Sequence, residues 1–370
     1  MKVRYSYLPQ QFGEIDDLLE TLRQFVPTGD FTLGVPVAEF EQKFAKLIGT
    51  KHAIGVGSGT DALKLPLKAA GVGFGDEVIT AANTFIATVG AIAEIGARPV
   101  FVDCDDSFCM DVSQVEAAIT EKTKAIMPVH FTGYMTEMGP LLKIADKHGL
   151  VVIEDACQSI LANIGGKNAG TWGAAAGFSL HPLKNLNVWG DAGVVVTDSD
   201  EMNDKLRLLR NHGLINRDEI AIMGYNSRLD SVQALVGNWL VGQTHDITDK
   251  RIANGAYYDA HFKDVPQLRL PPRPSGRKRV FHLYILFAEQ RDALNEFCQA
   301  NGIESKVHYP IPLYQQEGLK QFGYVAGDFP VTDAHARSII TFPVDQHLSP
   351  KEQDYVIETV RRFYAENPSS

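Results

Sequence analysis

Residues 174–197 decide the fold, and they have the sequence AAAGFSLHPLKNLNVWGDAGVVVT. Small and apolar residues at both ends predict two buried strands, and Lys184 lies on the connection between them. A lysine that is removed from water has a lowered pKa, and its neutral amine is a nucleophile. Such an amine can form a Schiff base with a carbonyl compound or with pyridoxal phosphate. Because most lysines are solvated surface charges, this hypothesis requires the rest of a site around Lys184.

The composition excludes several classes of protein. Of the 370 residues, 45% are hydrophobic and 22% are charged, which is typical of a globular protein with one large and one smaller domain, or with a single large unit. The formal net charge of -10 argues against nucleic acid or an anionic membrane as the main partner. The sequence has neither an apolar run of membrane-spanning length nor a signal-peptide core, so we expect a cytoplasmic protein. The four cysteines form no Cys-x-x-Cys pair, which indicates reduced thiols and no metal site.

Most of the chain alternates between short apolar runs and helical patterns. Residues 141–149, for example, are apolar at helical spacing and end at a glycine. Such alternation predicts βαβ units and an α/β fold, in which helices cover both faces of a mostly parallel sheet. Besides the two strands within 174–197, the predicted strands are 53–56, 77–80, 99–103, 125–129 and 151–154.

The pattern changes near residue 245. We therefore expect a large domain over 1–245 and a smaller α+β domain over 246–370. In the smaller domain, residues 280–287 and 304–308 predict strands, and residues 291–300 predict a helix. The stretch 269–279, which we call the basic loop, is interpreted as solvated, with a contact to an acidic substrate as the alternative.

Polar residues follow three of the predicted strands. His130, Asp155 and Ser179 come after strand ends, and Lys184 follows Ser179. Ligands of open parallel sheets bind outside the carboxyl ends of the strands, so we expect these residues to converge there. Asp155 suits the pyridine nitrogen of pyridoxal phosphate, because a carboxylate keeps the ring protonated and able to withdraw electrons. The alternative role of Asp155 is that of a helix N-cap.

A glycine-rich turn, GVGSGTDAL at 55–63, stands between a predicted strand and a predicted helix. Backbone N–H groups at such a helix N-terminus bind phosphate. The glycine spacing is not that of a dinucleotide fingerprint, which leaves a nicotinamide-dependent sugar oxidoreductase as a weak alternative. Pro66 is expected to kink the helix that follows, because it removes a hydrogen bond.

Several motifs occur in a fixed order between Gly29 and Tyr364. They are FTLG (31–34), EFE (39–41), SGTDAL (58–63), NTFIAT (83–88), IEDACQ (153–158), the Lys184 segment, NHG (211–213), GYNSRL (224–229) and HYPIPL (308–313). Together they resemble the sugar aminotransferases of the DegT/DnrJ/EryC1/StrS family. The resemblance implies the aspartate aminotransferase fold of type I pyridoxal phosphate enzymes, with a mostly parallel central sheet and a smaller C-terminal α+β domain.

The resemblance also assigns roles around the cofactor ring. Lys184 would form the Schiff base and transfer the proton, and Asp155 would bind the pyridine nitrogen. Gln158 would bind the ring hydroxyl. Phe85 would stack on the ring, although by sequence pattern alone Phe85 is better interpreted as a core aromatic.

Further roles concern the phosphate and the substrate. Gly59, Thr60 and Ser179 would hold the phosphate together with Asn226 of the neighbouring subunit, which implies a homodimer with shared sites. By sequence alone Asn226 is better interpreted as a turn residue. Weaker candidates for substrate contacts are His181, Arg228, His308 and Tyr309.

In function, the resemblance implies a transaminase that moves an amino group from glutamate to a carbonyl sugar, with pyridoxamine phosphate as the aminated cofactor. Residues 181–191 are most similar to relatives acting on the C8 aldehyde of 3-deoxy-manno-octulosonate, an acid sugar of bacterial lipopolysaccharide. A nucleotide-linked keto sugar is the alternative acceptor. Dehydratase relatives have histidine in place of Lys184, so a transaminase is favoured; Ala192 replaces a common glycine without an expected loss of function. The alternative of another class is a pyridoxal phosphate-binding regulatory module without activity.

Overall fold

The computed structural model describes residues 1–368. Thirteen strands lie in this range: β1 His52–Val56, β2 Glu77–Ala81, β3 Arg98–Val102, β4 Thr123–Met127, β5 Val151–Asp155, β6 Asn163–Ile164, β7 Lys167–Asn168, β8 Ala175–Ser179, β9 Gly193–Thr197, β10 Leu268–Arg269, β11 Arg277–Lys278, β12 Tyr284–Ala288 and β13 Ile339–Phe342. The same range contains twelve α-helices: α1 Leu8–Gln11, α2 Asp16–Phe25, α3 Val35–Ile48, α4 Gly59–Ala69, α5 Ile86–Glu94, α6 Met138–His148, α7 Asp200–Leu209, α8 Ser231–Leu240, α9 Thr244–Phe262, α10 Arg291–Ala300, α11 Pro330–Ser338 and α12 Pro350–Glu366.

Seven strands form the central sheet in the order β1-β9-β8-β5-β4-β2-β3. β2 pairs in parallel with β3 and β4, and β5 pairs in parallel with β4 and β8. β9 is antiparallel to both of its neighbours, β8 and β1. The predicted α/β architecture with a mostly parallel sheet is confirmed, and every strand predicted before residue 245 is present.

Both faces of this sheet are buried, which explains why its strands are apolar without alternation. In β1, Ala53 packs into the core on one face, while Ile54 and Val56 pack into the core on the other. The same alternation places Ile79 and Val78 of β2 in opposite cores. Phe40 and Phe44 of α3 belong to the first core, and α4 and α5 contribute to the second.

Two small sheets accompany the central one. β10, β12 and β13 form an antiparallel sheet, and β11 pairs with the short hairpin of β6 and β7. The predicted helix at 291–300 is confirmed as α10. A third core, packed against β12 and β13, unites Tyr258 of α9 and Val356 of α12 with Val3 and Tyr7 from the start of the chain.

Helix α9 contributes to two of these cores. Its first half places Ile247 in the core of the central sheet, and its second half places Tyr258 and Phe262 in the core that contains Val3. The predicted boundary at residue 245 falls at the beginning of this helix, and the division into two domains stays a prediction.

Two predicted strands of the C-terminal part were misjudged. Residues 304–308 do not form a strand: Lys306 makes an isolated bridge to Thr341, and the Ser305 N–H turns back to the carbonyl of Ile303, which breaks the extended geometry. The strand predicted at 280–287 begins only at Tyr284, because Phe281 adopts a φ of 47° and bends the chain.

Helix α4 continues through Pro66 instead of ending there. Proline removes the N–H that would bond to the carbonyl of Ala62. This carbonyl lies against β8, so closely that a Cβ at Gly177 would be 2.6 Å from its oxygen. In this turn of the helix the Ala62 carbonyl therefore packs against β8, where it would otherwise accept a hydrogen bond from residue 66. Among residues 1–368, no helix combines the length and the apolar character that crossing a bilayer requires.

Candidate active site

A cavity of about 310 Å³ lies at the carboxyl ends of β5 and β8, and we call it the main cavity. Its walls contain ten of the residues that the sequence suggested for a site: Gly59, Thr60, Phe85, Asp155, Gln158, Ser179, His181, Lys184, His308 and Tyr309. They come from the first turn of α4, the beginning of α5, the ends of β5 and β8, and the segment before Pro310. The fold therefore brings together residues that are up to 250 positions apart in the sequence.

Lys184 lies on the connection from β8 to β9, as expected. Its carbonyl accepts a hydrogen bond from the Asn187 amide (3.0 Å), and its N–H donates to the carbonyl of His181 (2.8 Å), so a tight turn fixes its backbone. Within residues 1–368 its amine has no hydrogen-bond partner. Burial lowers the pKa of Lys184 below 10.5, against the opposing effects of Cys157 and Asp155. An amine that is partly removed from water and has no partner is suited to act as a nucleophile.

Asp155 ends β5 and is only 5% exposed. One carboxylate oxygen accepts the hydroxyl of Thr88 (2.7 Å), and the other accepts the N–H of Cys157 (3.1 Å). The hydroxyls of Thr84, which precedes α5, and Thr88, in the first turn of α5, are 2.7 Å apart. Thr88 thus orients the carboxylate, and sequence reasoning missed this role, although Thr84 and Thr88 stand at the spacing of one turn.

Gln158 faces the same cavity with its side-chain amide. Its carbonyl oxygen accepts the N–H of Thr132 (2.8 Å), which adopts a φ of 62° in the turn after β4. With the oxygen engaged in this way, the NH₂ group is the part of the amide that is left to donate to a ligand.

The first turn of α4 has the geometry that suits an anion. The Ser58 hydroxyl caps the helix by accepting the N–H of Asp61 (3.1 Å), whereas the N–H groups of Gly59 and Thr60 have no intrahelical partner at this position. Ser179 lies directly beside them: a Cβ at Gly59 would be 2.6 Å from the Cβ of Ser179. Glycine at position 59 therefore lets the helix N-terminus and the Ser179 hydroxyl lie side by side, and such an arrangement of donors suits a phosphate.

The opposite side of the site is aromatic and apolar. Phe85 is 51% exposed, and its ring centroid lies 6.3 Å from that of Tyr309. A second cavity of about 430 Å³, which we call the apolar cavity, adjoins the first and shares Thr84, Phe85 and Tyr309 with it. Its other walls include Ile86 and Ile311. The exposure of Phe85 contradicts the interpretation of this residue as a core aromatic.

Three histidines line the main cavity. Burial lowers the pKa of His308 to about 4 and that of His181 below 6.5. His282, which sequence reasoning did not identify, is half-buried, and its pKa is lowered well below 6.5 by desolvation and by Lys184. Tyr5, from the start of the chain, also lines this cavity, and no local sequence signal pointed to it.

One expectation needs correction. His130 does not reach the main cavity: it is fully buried, because its ring packs inward with Nε2 2.9 Å from Glu154 and Nδ1 accepting the N–H of Thr136 (3.4 Å). The main cavity of a single chain contains neither Asn226 nor Arg228. The role of Asn226 at the site of a neighbouring subunit and the substrate contact of Arg228 both stay predictions. Asn226 forms a bridge with Asn211, and Arg228 donates to the side-chain oxygen of Asn211 (3.2 Å).

The basic loop offers few free charges to an acidic ligand. Four of its cations are paired with carboxylates: Arg269 with Asp106, Arg273 with Asp259, Arg277 with Glu137 and Lys278 with Asp249. These pairs support the interpretation of a surface loop. Within residues 1–368 we also find no group of three or more His, Cys, Asp or Glu side chains arranged to hold a metal ion.

The family model of the DegT/DnrJ/EryC1/StrS aminotransferases matches residues 14–361. This chain belongs to that family. Two similar relatives are the pleiotropic regulatory protein of Geobacillus stearothermophilus (41% identical, covering 98% of this chain and 99% of its own) and the UDP-N-acetyl-3-dehydro-alpha-D-glucosamine 3-aminotransferase of Acidithiobacillus ferrooxidans (40% identical, 94% of both chains). Neither relative is named for the octulosonate reaction, so the narrower resemblance has no support from them.

Solved structures give the same result. The crystal structure of S. venezuelae DesV in complex with a ketimine intermediate matches with a TM-score of 0.95, 34% identity and 98% coverage of both chains. NtdA from Bacillus subtilis, with bound cofactor PMP, matches with a TM-score of 0.91 and 30% identity over 98% of this chain and 85% of that one. This member of the aminotransferase family is therefore a pyridoxal phosphate-dependent transaminase with the expected fold.

The residues of the main cavity fit this cofactor. The donor set contains an amine without a partner (Lys184), a carboxylate already oriented by two hydrogen bonds (Asp155) and a free amide NH₂ (Gln158). The close approach of Gly59 and Ser179 leaves free N–H groups where a phosphate can bind. The chemistry of these groups therefore suits the aldehyde, the ring nitrogen, the ring hydroxyl and the phosphate of pyridoxal phosphate.

Proposed function

We propose that this protein transfers the amino group of glutamate to a nucleotide-linked keto sugar. The observation that carries the proposal is the meeting, in one cavity, of the unpartnered amine of Lys184, the carboxylate of Asp155 and the free helix N-terminus at Gly59. The similarity to an aminotransferase named for a UDP-linked sugar supports the choice of acceptor.

Each residue has a proposed role. Bound pyridoxal phosphate supplies an electron sink for the carbanion formed at the substrate. Lys184 would hold the cofactor through its amine and, once displaced, its amine would carry the proton from the α-carbon of the amino donor to the cofactor carbon that bears the amine. Asp155 keeps the pyridine nitrogen protonated, and Gln158 donates to the ring hydroxyl. Phe85 covers one face of the ring.

The phosphate is held by the N–H groups of Gly59 and Thr60 and by Ser179, and we propose that Asn226 of a second copy completes its site. Asn226 is exposed and follows a loop with three strongly exposed apolar residues, Ile215 (63%), Ile220 (65%) and Met223 (87%). Such a surface is typical of a contact between protein molecules. Met223→Asp is expected to shift the protein toward the monomer in analytical ultracentrifugation and to weaken cofactor binding; a fully active monomer would contradict the shared site.

The apolar cavity supports a large acceptor. It opens from the main cavity at Phe85 and Tyr309 and offers room for the part of a substrate that does not react. The C8 aldehyde of 3-deoxy-manno-octulosonate remains the second candidate acceptor, favoured by the sequence of residues 181–191.

The decisive experiment follows the visible absorbance of the holoenzyme. Glutamate should remove the absorbance of the lysine-bound cofactor, and the correct acceptor, chosen from a panel of free and nucleotide-linked keto and aldehydo sugars, should restore it. Lys184→Ala should bind cofactor noncovalently and show no turnover. A regulatory module without activity would leave the absorbance unchanged after glutamate, and turnover by the Lys184→Ala protein would refute the assignment of the lysine.

A further inference from the structure

Lys306 is a cation of the main cavity that the proposed mechanism leaves unused. It lines the cavity next to His308. Within residues 1–368, no carboxylate oxygen lies within 4.0 Å of its amine. The cations of the basic loop differ in this respect, because four of them are paired. An unpaired lysine on the wall of a substrate cavity is available to bind an anion.

The position of Lys306 is well defined. Its N–H donates to the carbonyl of Thr341 (3.0 Å), and its own carbonyl accepts the N–H of Thr341 (2.8 Å), so β13 anchors its backbone. Its amine lies 4.0 Å from the ring centroid of Tyr5, a cation–π contact that guides the side chain along the cavity wall. The Tyr5 N–H in turn donates to Glu304 (2.9 Å). The charge is therefore presented from a rigid support.

Among the groups that line the cavity, Lys306 is the one whose positive charge is expected to persist when the cofactor is bound. The lowered pKa values of His181, His282 and His308 keep these rings neutral at pH 7. The amine of Lys184 is committed to the cofactor, and Asp155 to the pyridine nitrogen. Asp191 is an exposed carboxylate of the same cavity and would repel an anion placed beside it.

We propose that Lys306 binds an anionic group of the sugar acceptor, either the diphosphate of a nucleotide-linked sugar or the carboxylate of an acid sugar. The inference rests on the proposed function and names the chemistry by which that site selects its acceptor. His308 is close enough to the amines of Lys306 and Lys184 for both to lower its pKa. The anion would thus bind one side chain away from the reacting carbonyl. The α-carboxylate of the amino donor, in contrast, is attached to the reacting carbon itself.

Two anions without a reactive carbonyl serve as probes: UDP and D-gluconate. Their Kd values for the aminated holoenzyme are measured by calorimetry, with uridine and sorbitol as neutral counterparts. Lys306→Gln should raise the Kd of one anion about tenfold, as the loss of one charged hydrogen bond implies, and Lys306→Arg should restore most of the affinity. Lys278→Gln, which removes a paired lysine from the basic loop, should leave both Kd values unchanged. The anion that loses affinity identifies the source, diphosphate or carboxylate.

Two outcomes would overturn this assignment. In the first, neither anion binds the wild-type holoenzyme, or Lys306→Gln changes neither Kd by more than twofold. In the second, the KM for glutamate in the first half-reaction rises as much as the Kd of the anion, which would make Lys306 a ligand of the donor. The proposed function has a separate readout, because failure of glutamate to remove the visible absorbance of the wild-type holoenzyme would refute the transaminase proposal without touching the anion measurement.

Discussion

Lys184 shows how the environment of a single residue creates chemistry. The backbone hydrogen bonds to His181 and Asn187 fix the lysine, while its amine is left without a partner in a site that protein atoms surround. Because desolvation disfavours the charged ammonium, a larger fraction of the Lys184 amine is neutral at a given pH. Asp155, in contrast, has both carboxylate oxygens occupied, so its orientation is set before a ligand arrives.

The first prediction concerns the pH dependence of cofactor attachment. Only the neutral amine of Lys184 reacts with the aldehyde of pyridoxal phosphate, and burial lowers its pKa below 10.5. The rate of attachment to the apoenzyme should therefore rise with pH through a midpoint below 10.5. Stopped-flow absorbance at a series of pH values measures this midpoint, and Lys184→Ala provides the baseline. A midpoint at or above 10.5 would contradict the role of burial.

The second prediction separates Asp155 from the residue that orients it. Asp155→Asn should lower kcat by about 10²–10³-fold, since a preorganised charge at the pyridine nitrogen is lost. Thr88→Val removes one hydrogen bond to the carboxylate and should lower kcat only about tenfold. Single-turnover kinetics with glutamate measure both. Equal losses in the two variants would show that Thr88 does more than orient Asp155.

The sequence predicted the site residues that stand in recognisable motifs. It did not predict those that line the cavity only because of the tertiary fold. Lys184, Asp155 and Gly59 stand in short, distinctive segments beside strand ends, where parallel sheets bind ligands. Tyr5 and Lys306 have no such context, because they reach the cavity through a segment at the start of the chain and through an isolated bridge to β13. His130 shows the reverse error, since a residue after a strand end can still turn into the core.

At the scale of elements, hydrophobic periodicity correctly predicted the central strands, which are buried on both faces. It gave wrong boundaries where the backbone bends. The strands of the central sheet are continuous apolar runs, and α10 has a clear amphipathic pattern. The strand expected from residue 280 is shortened by the positive φ of Phe281, which apolar side chains do not reveal. Pro66 was expected to disturb α4, yet the helix continues through it, and the Ala62 carbonyl that loses its hydrogen bond lies against Gly177.

The third prediction concerns the first turn of α4. Gly59→Ala would place a Cβ 2.6 Å from the Cβ of Ser179, so the helix N-terminus must move away from the phosphate. The affinity for pyridoxal phosphate should fall by about 10–100-fold, as the loss of one or two charge-assisted hydrogen bonds implies. Gly139→Ala is the matched control, because a Cβ in the first turn of α6 meets nothing within 4 Å. Equilibrium dialysis of cofactor measures both variants; an unchanged affinity in Gly59→Ala would exclude α4 as the phosphate site.

At the scale of the whole molecule, neutral histidines make the folded state sensitive to acid. His335 packs between the rings of Phe108 and Phe287, at 5.2 and 5.1 Å, and burial lowers its pKa from 6.5 to about 4. Between these two pKa values the unfolded chain binds a proton that the folded chain rejects. Stability is therefore full above pH 6.5 and falls as the pH drops toward 4.

The fourth prediction uses His335→Gln, which removes this titration. The variant should be less stable than the wild type at pH 7.5, because the ring packing is lost. The difference in the free energy of unfolding between wild type and variant should be about 2 kcal/mol smaller at pH 5. At that pH only the wild type is destabilised by the proton that His335 binds in the unfolded chain. Thermal unfolding at both pH values measures the gap. A gap that stays constant with pH would show that His335 is not responsible.

The contact between the two ends of the chain affects how the protein is made. Val3 pairs with Ile303 and, with Tyr7, packs against α9 and α12. A ribosome adds roughly 5–20 residues per second, so the first segment waits on the order of 15–60 s for its partner to be synthesised. During translation the central sheet is able to assemble while this segment is still unpaired. The wall of the main cavity that Tyr5 provides is thus among the last parts of the enzyme to form.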